Sequence, residues 1–504
     1  MIAADIRAAL SDPASAGHDW LIAPETGRRL RFGELHRFAM CLDQMLAARA
    51  VGRGAIVATL LPNGLSASAL FIAVMAGGRV IAPLSLLAQP SQLAYVLGHC
   101  DPAIVFTTAE HAQALHRALA DDRPQRIVVI DPDGLDGGPW AHDDHQDDRF
   151  VGDTPAGHEA ALLMYTSGTT GVPKGVALTH GNLLHAARAV AGWHGLGPTD
   201  RALSALPLYH INGQVIGTLT PLLSGGSLVA PRRFSVSSWW QAALEHGCTW
   251  LNMVPTIIAY LLNEADRAPT SLPAIRFGRS ASAPLPPDQQ RAFERRFGFP
   301  IIEAMGMTET ASVVFCNPMD PLQRRIGSPG LPLGTEVKVV DSHGQPVAPL
   351  QTGEFWLRGP AVMGGYYRDP ERSAEALTDD GWLRSGDLGH LDADGFAYIT
   401  GRLKELIIKG GENIAPREID EALLRHPQIL EAAAVGIPDP AYGQQILAAI
   451  VPKPGCTPDL EELRAFCEHE LGRYKTPARF MVLAELPKGP SGKVQRLRLL
   501  DAMS

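Results

Sequence analysis

The run Tyr165-Thr166-Ser167-Gly168-Thr169-Thr170-Gly171-Val172-Pro173-Lys174-Gly175 gathers the residue types that grip phosphate. Its glycines let the backbone turn closely round phosphate oxygens, Thr166, Ser167, Thr169 and Thr170 offer hydroxyl donors, and Lys174 adds positive charge. It is not a Walker-type loop, because G-x-x-x-x-G-K-[ST] counted from Gly168 requires glycine where Pro173 stands. By composition it is a phosphate-binding loop, with an ordinary Gly/Ser/Thr turn as the alternative. A short apolar run, Ala161-Leu162-Leu163-Met164-Tyr165, leads directly into it.

The elements that must position this loop follow from hydrophobic periodicity. Residues 32–49 read as helix, 55–61 as a buried strand ending at Pro62-Asn63-Gly64, 66–76 as helix and 80–82 as strand. The alternation continues with a helix over 89–97 and strands over 103–107 and 126–130. Such βα alternation predicts an α/β fold with largely parallel sheets. From about Gly327 the texture changes to short strands between Gly and Pro turns, at 336–340, 353–358 and 396–400, which predicts a β-rich subdomain. After Gly401 the pattern reads strand, helix, strand, helix over 418–424, 431–435, 447–451 and 460–471, ahead of a basic tail, and has the size of a small α+β domain. The chain of 504 residues is too long for one ordinary core. The expected division is a large domain over 1–401, with the β-rich subdomain at about 327–401, and a small domain over 402–504.

Composition excludes several function classes. Hydrophobic residues make up 46% and charged residues 19%, as in a globular enzyme, and the 53 acidic and 44 basic residues give a net charge of -9. They form no basic stripe, so nucleic acid is not expected as a partner. The densest charge run, Asp143-Asp144-His145-Gln146-Asp147-Asp148-Arg149, reads as a solvated loop in preference to a metal site. Six cysteines stand far apart without a C-x-x-C pair, so neither zinc nor a disulfide framework is indicated and a reducing cytoplasm is expected. Residues 1–10 carry Asp5 and Arg7 and read as helix, not signal peptide, and no apolar run approaches the roughly 20 residues that span a bilayer.

The run at 165–175 resembles the signature of the ANL superfamily of adenylate-forming enzymes, which holds acyl-CoA synthetases, nonribosomal-peptide adenylation domains and luciferases. That superfamily's other motifs follow in order. Ala205-Leu206-Pro207-Leu208-Tyr209-His210 resembles the motif whose His borders the acyl pocket, and Gly278-Arg279-Ser280-Ala281-Ser282-Ala283-Pro284 the loop whose backbone lies along adenine. Glu303-Ala304-Met305-Gly306-Met307-Thr308-Glu309 is similar to the motif whose Thr touches the α-phosphate and whose Glu holds Mg²⁺; Met305 replaces the usual Tyr. Trp382-Leu383-Arg384-Ser385-Gly386-Asp387 resembles the segment whose Asp accepts both ribose hydroxyls. In residues 401–418 the resemblance gives Arg402 to the ribose or phosphates, Lys404 to the hinge of the small domain, and Lys409, Gly410 and Gly411 to the path of pantetheine. Leu486-Pro487-Lys488-Gly489-Pro490-Ser491-Gly492-Lys493 resembles the motif that carries the catalytic lysine, Lys493.

The resemblance implies ATP, Mg²⁺ and CoA as ligands and an AMP-forming acyl-CoA synthetase, as a monomer or homodimer. A carrier protein is the alternative acceptor. Acyl-pocket candidates by position are His210, Ile211, Asn212, Gly213, Met253, Val254, Ser280, Ser282, Met305, Met307 and Val313. The stretch Arg279-Ser280-Ala281-Ser282 resembles the oxalate-activating branch. A small or short acid is therefore expected, dicarboxylates included, with medium-chain or aromatic acids as the alternative and packing or capping as the bland role for Ser280 and Ser282.

Overall fold

Apolar runs flanked by helices pair mainly in parallel. A computed structural model of the protein describes residues 2–119, 126–135, 149–166, 173–264, 269, 271–488 and 494–501. Strands Ile127–Val129, Ile104–Thr107, Ile56–Leu60, Val80–Pro83 and Ala160–Thr166 lie side by side in parallel, and Lys174–Thr179 closes that sheet antiparallel to Ala160–Thr166. A second sheet has a parallel centre, Asp19–Ala23, Ser227–Val229, Arg201–Ser204, Trp250–Met253, Phe277–Ser280 and Ile301–Met305, with antiparallel strands at both edges. Helix Leu65–Ala76 is buried at every residue and touches both sheets, so its all-round apolar sequence has no face left for water. The α/β expectation holds.

The β-rich segment forms a four-stranded antiparallel sheet, Glu336–Val340, Gly353–Arg358, Leu383–Leu391 and Ala397–Arg402. The chain then passes through a single turn, Leu403–Glu405, none of whose residues is buried, into the C-terminal sheet. There, strands Ile429–Asp439 and Gly443–Pro452 pair along their length, and helices Pro416–Leu424 and Leu460–Lys475 accompany them. Ile407, Ile419, Ile446, Leu463 and their neighbours make a core of this unit's own.

The structure departs from the sequence reading in several places. Residues 418–424 fall in helix Pro416–Leu424 and 431–435 in strand Ile429–Asp439, the reverse of the expected order, because Pro416 at the helix start and the long pairing of Ile429–Asp439 with Gly443–Pro452 decide them. The first helix spans Ile6–Ser11, not residues 1–10, because the Asp5 side chain accepts a hydrogen bond from the Ala8 N–H and caps it there. Residues Asn212–Leu219 form a π-helix that periodicity did not announce. Among the described residues no helix is long and apolar enough to cross a membrane.

Candidate active site

The carboxyl ends of parallel strands are where α/β sheets place ligands, and there the loops after Trp250–Met253, Phe277–Ser280 and Ile301–Met305 wall a cavity of about 320 Å³. Ser282, Ala283, Met305 and Gly306 lie on that wall, and Asp387 and Arg402 face them from the antiparallel sheet. Cross-strand pairing sets Asp387 opposite Arg402, and Arg402 Nε donates to Asp387 Oδ1 at 2.7 Å. The Asp387 carboxylate raises the Arg402 pKa. Asp387 is buried, and its Oδ2 has no partner among the described residues. A desolvated carboxylate oxygen on a cavity wall is an acceptor awaiting a donor.

Glu303 is a second buried carboxylate at this cavity. Its Oε1 accepts from the Leu285 N–H at 3.2 Å, Oε2 has no partner among the described residues, and burial pushes its pKa up to about 7. The folded state therefore favours the neutral acid. Stability from this group is fully present below its ordinary pKa of 4.5 and is lost as pH rises through about 7. Glu303→Gln is expected to gain on the parent by up to about 3 kcal/mol between pH 5 and pH 8, measured by urea unfolding at both values.

A smaller cavity of about 40 Å³ adjoins the first, since Ser282 and Gly306 line both. His210, Met307 and Thr308 also line it. Its wall is strained: Ser282 and Ser312 hold φ values of 75° and 78°, and Ala311, next in the chain to Ser312, holds 48°, a region that side-chain-bearing residues seldom occupy. Gly306 is required by close approach, because a Cβ there would meet the Ser312 carbonyl oxygen at 2.1 Å. Gly213 is held likewise by the Pro207 carbonyl at 2.4 Å. Behind the wall, Asn212 Nδ2 donates to Ser282 Oγ at 3.2 Å, and Asn252 Nδ2 donates to Asn212 Oδ1 at 3.1 Å.

Glu309 follows Thr308 in the short turn Thr308–Thr310, and its Oε1 accepts from the Tyr366 hydroxyl at 3.0 Å. Lys174 Nζ stands 4.7 Å above the Tyr366 ring. Desolvation lowers the Lys174 pKa, and Lys404 and Arg372 lower it further while Glu309 opposes them. Lys174, Lys404 and Glu309 are thus electrostatic neighbours. Among the described residues no group of three or more His, Cys, Asp or Glu side chains could hold a metal by itself. A single carboxylate such as Glu309 suits Mg²⁺, which commonly binds one or two carboxylates and takes its other ligands from phosphates and water.

Thr166 ends its strand in antiparallel register with Lys174. Ser167, Gly168, Thr169, Thr170, Gly171 and Lys493 lie outside the described residues. Lys488 and Val494 flank the latter, join through an antiparallel bridge and line the larger cavity. Lys409, Gly410 and Gly411 line neither cavity; Lys409 Nζ donates to the Tyr474 carbonyl at 2.6 Å, and both glycines have positive φ. Met253 and Ser280, read from the sequence as acyl-pocket residues, also line neither. Strand alternation puts them on the opposite sheet face from Asn252 and Arg279, and Met253 packs among Leu203, Leu251 and Ile301. Sequence reasoning assigned no role to Glu303, although it opens a motif quoted there. Tyr366 carried no signal, because its partner Glu309 is distant in sequence.

The AMP-binding enzyme family profile matches residues 10–367, and that of the AMP-binding enzyme C-terminal domain matches residues 418–493. The chain belongs to the AMP-binding enzyme family. It is 54% identical over 486 residues to sulfoacetate–CoA ligase of Cupriavidus necator, covering 96% of this chain and 94% of that one. With oxalate–CoA ligase of Arabidopsis thaliana it shares 33% identity over 471 residues, 90% of this chain and 89% of the relative. Among solved structures it is similar to o-succinylbenzoate CoA synthetase of Bacillus subtilis in complex with its acyl-adenylate intermediate. That likeness has a TM-score of 0.85 at 30% identity and covers 98% of this chain and 97% of that one.

Proposed function

We propose that the protein is an AMP-forming acid:CoA ligase that activates a small carboxylic acid carrying a second anionic group. The observation that carries this reading is the pair of adjoining cavities, a larger one bearing the partnerless Asp387 oxygen and one of about 40 Å³ beside Thr308. On a scale where one water takes about 10–15 Å³, the smaller cavity suits an acid of a few heavy atoms. The relatives named for sulfoacetate and oxalate, both doubly anionic, point the same way.

In the first half-reaction a carboxylate oxygen attacks the α-phosphorus of ATP, the bond to the β-phosphate oxygen breaks, and pyrophosphate leaves. Asp387 accepts the ribose hydroxyls, Thr308 donates to the α-phosphate, and the phosphate loop from Thr166 to Lys174 holds the departing pyrophosphate. Glu309 would hold Mg²⁺, which supplies charge neutralisation at the phosphates when bound. Lys493 stabilises the charge that grows at the α-phosphate. In the second half-reaction the CoA sulfur attacks the acyl carbon, its proton is released, and AMP departs with one of the acid's oxygens.

The second half-reaction needs Lys409, Gly410 and Gly411 at the cavity, where Lys488 and Val494 now stand. The turn Leu403–Glu405, unburied and joining two separate cores, supports a hinge with Lys404 at its pivot and a large domain that ends at about residue 401. Six free thiols suit a reducing cytoplasm. The test is AMP release from ATP and CoA with a panel of acids graded in length: short doubly anionic acids should exceed octanoate and benzoate by at least about tenfold in kcat/KM. Faster turnover of octanoate or benzoate would overturn the assignment of the acid.

A further inference from the structure

Arg279 lies on the central strand Phe277–Ser280 and is 1% exposed. Its Nε and Nη1 have no hydrogen-bond partner among the described residues, and no carboxylate of those residues pairs with it. Burial lowers its pKa, with only the Cys316 thiol acting against that. The neighbouring His194, fully enclosed and beside two arginines, has its pKa lowered well below the ordinary value and so stays neutral. A guanidinium taken out of water without an anion is an expensive arrangement, and one that a bound anion relieves.

Arg279 lines neither cavity, but hydrogen bonds join its buried layer to the wall of the smaller one. Arg279 is the register partner of Asn252, so both side chains leave the sheet on one face. Asn252 donates to Asn212 and to Ser204 Oγ, and Asn212 donates to Ser282, which lines the cavity beside Thr308. Asn252 Oδ1 and Arg279 are both left partnerless within this buried layer. The π-helix Asn212–Leu219 closes over it, and Gly217 permits the approach, since a Cβ there would stand 3.0 Å from Ser204 Oγ.

We propose that Arg279 is the specificity-determining residue that receives the acid's second anionic group, a sulfonate or carboxylate one or two bonds from the carboxylate that is activated. The proposal rests on the reading that this protein activates a small acid. Asn212 and Asn252 then flank the bound acid, and Ser282 stands where the acid meets the nucleotide. The planar guanidinium suits either oxyanion, and the buried site makes the charge count for more than it would in water.

The experiment compares the parent protein with Arg279→Met and Arg279→Lys, using sulfoacetate and malonate as doubly anionic probes and propionate as a monoanion of similar size. Parent activity on none of them would defeat the small-acid reading and leave the role of Arg279 without its premise. With parent activity present, Arg279→Met is expected to lower kcat/KM for the doubly anionic acids by at least about 100-fold while holding propionate within about threefold, with Arg279→Lys between them. Equal losses on all acids, or retained preference for the doubly anionic acids, would overturn the proposal. Thermal unfolding separates folding from recognition. Arg279→Met is expected to melt no lower than the parent without ligand and to lose the upward shift that sulfoacetate gives the parent; a lower melting temperature with that shift intact contradicts the proposal.

Discussion

Replacing Lys493 by alanine is expected to lower acid-dependent ATP–pyrophosphate exchange by about 10²–10³-fold, the loss typical when one preorganised donor is taken from a charge that builds in the transition state. The residues on either side of the loop explain why. Lys488 and Val494 bridge to each other at the larger cavity, and Lys488 is fastened to Glu431 at 2.6 Å. The same variant should form thioester from supplied acyl-adenylate and CoA at a rate close to the parent's, because the proposed mechanism gives the lysine no part in that step. Gly411→Val should show the converse, with exchange retained and thioester formation lost, since its φ of 87° and the passage of pantetheine proposed for it both call for glycine. The reverse pattern in the pair would overturn the assignment of the two half-reactions to two faces of the C-terminal unit.

Asp387→Ala is the second large effect. The carboxylate is buried at the larger cavity, one oxygen is held by Arg402 and the other has no donor among the described residues. Two charge-assisted hydrogen bonds to a ribose are worth about 1.5–3 kcal/mol each, so kcat/KM for ATP should fall at least about 100-fold. The decisive reading is the comparison with 2′-deoxy-ATP. The parent should favour ATP by about tenfold or more, and the variant should treat the two nucleotides nearly alike. A variant that keeps the parent's preference would remove Asp387 from the ribose.

Much of this was legible locally. Buried parallel strands announce themselves as short β-branched runs between helices, and strands such as Glu336–Val340 and Gly353–Arg358 fall where alternation put them. Asp387 and Arg402 were both legible as nucleotide-binding candidates, but their ion pair was not, because it comes from an antiparallel register that no local pattern encodes. The π-helix Asn212–Leu219 escapes a search tuned to 3.6 residues per turn. Met253 and Ser280 were placed in the acyl pocket by proximity to motifs, whereas strand alternation sets them on the sheet face opposite to Asn252 and Arg279. Tyr366 and Glu309 meet only through tertiary folding.

The most direct test of the account follows one atom. If the acid's carboxylate attacks the α-phosphorus and CoA then displaces AMP, turnover of acid labelled with ¹⁸O in its carboxylate, in the presence of ATP, Mg²⁺ and CoA, must leave one ¹⁸O in the phosphate of AMP and none in pyrophosphate. Label in pyrophosphate, or ADP and inorganic phosphate as products in place of AMP, would contradict activation through an acyl-adenylate.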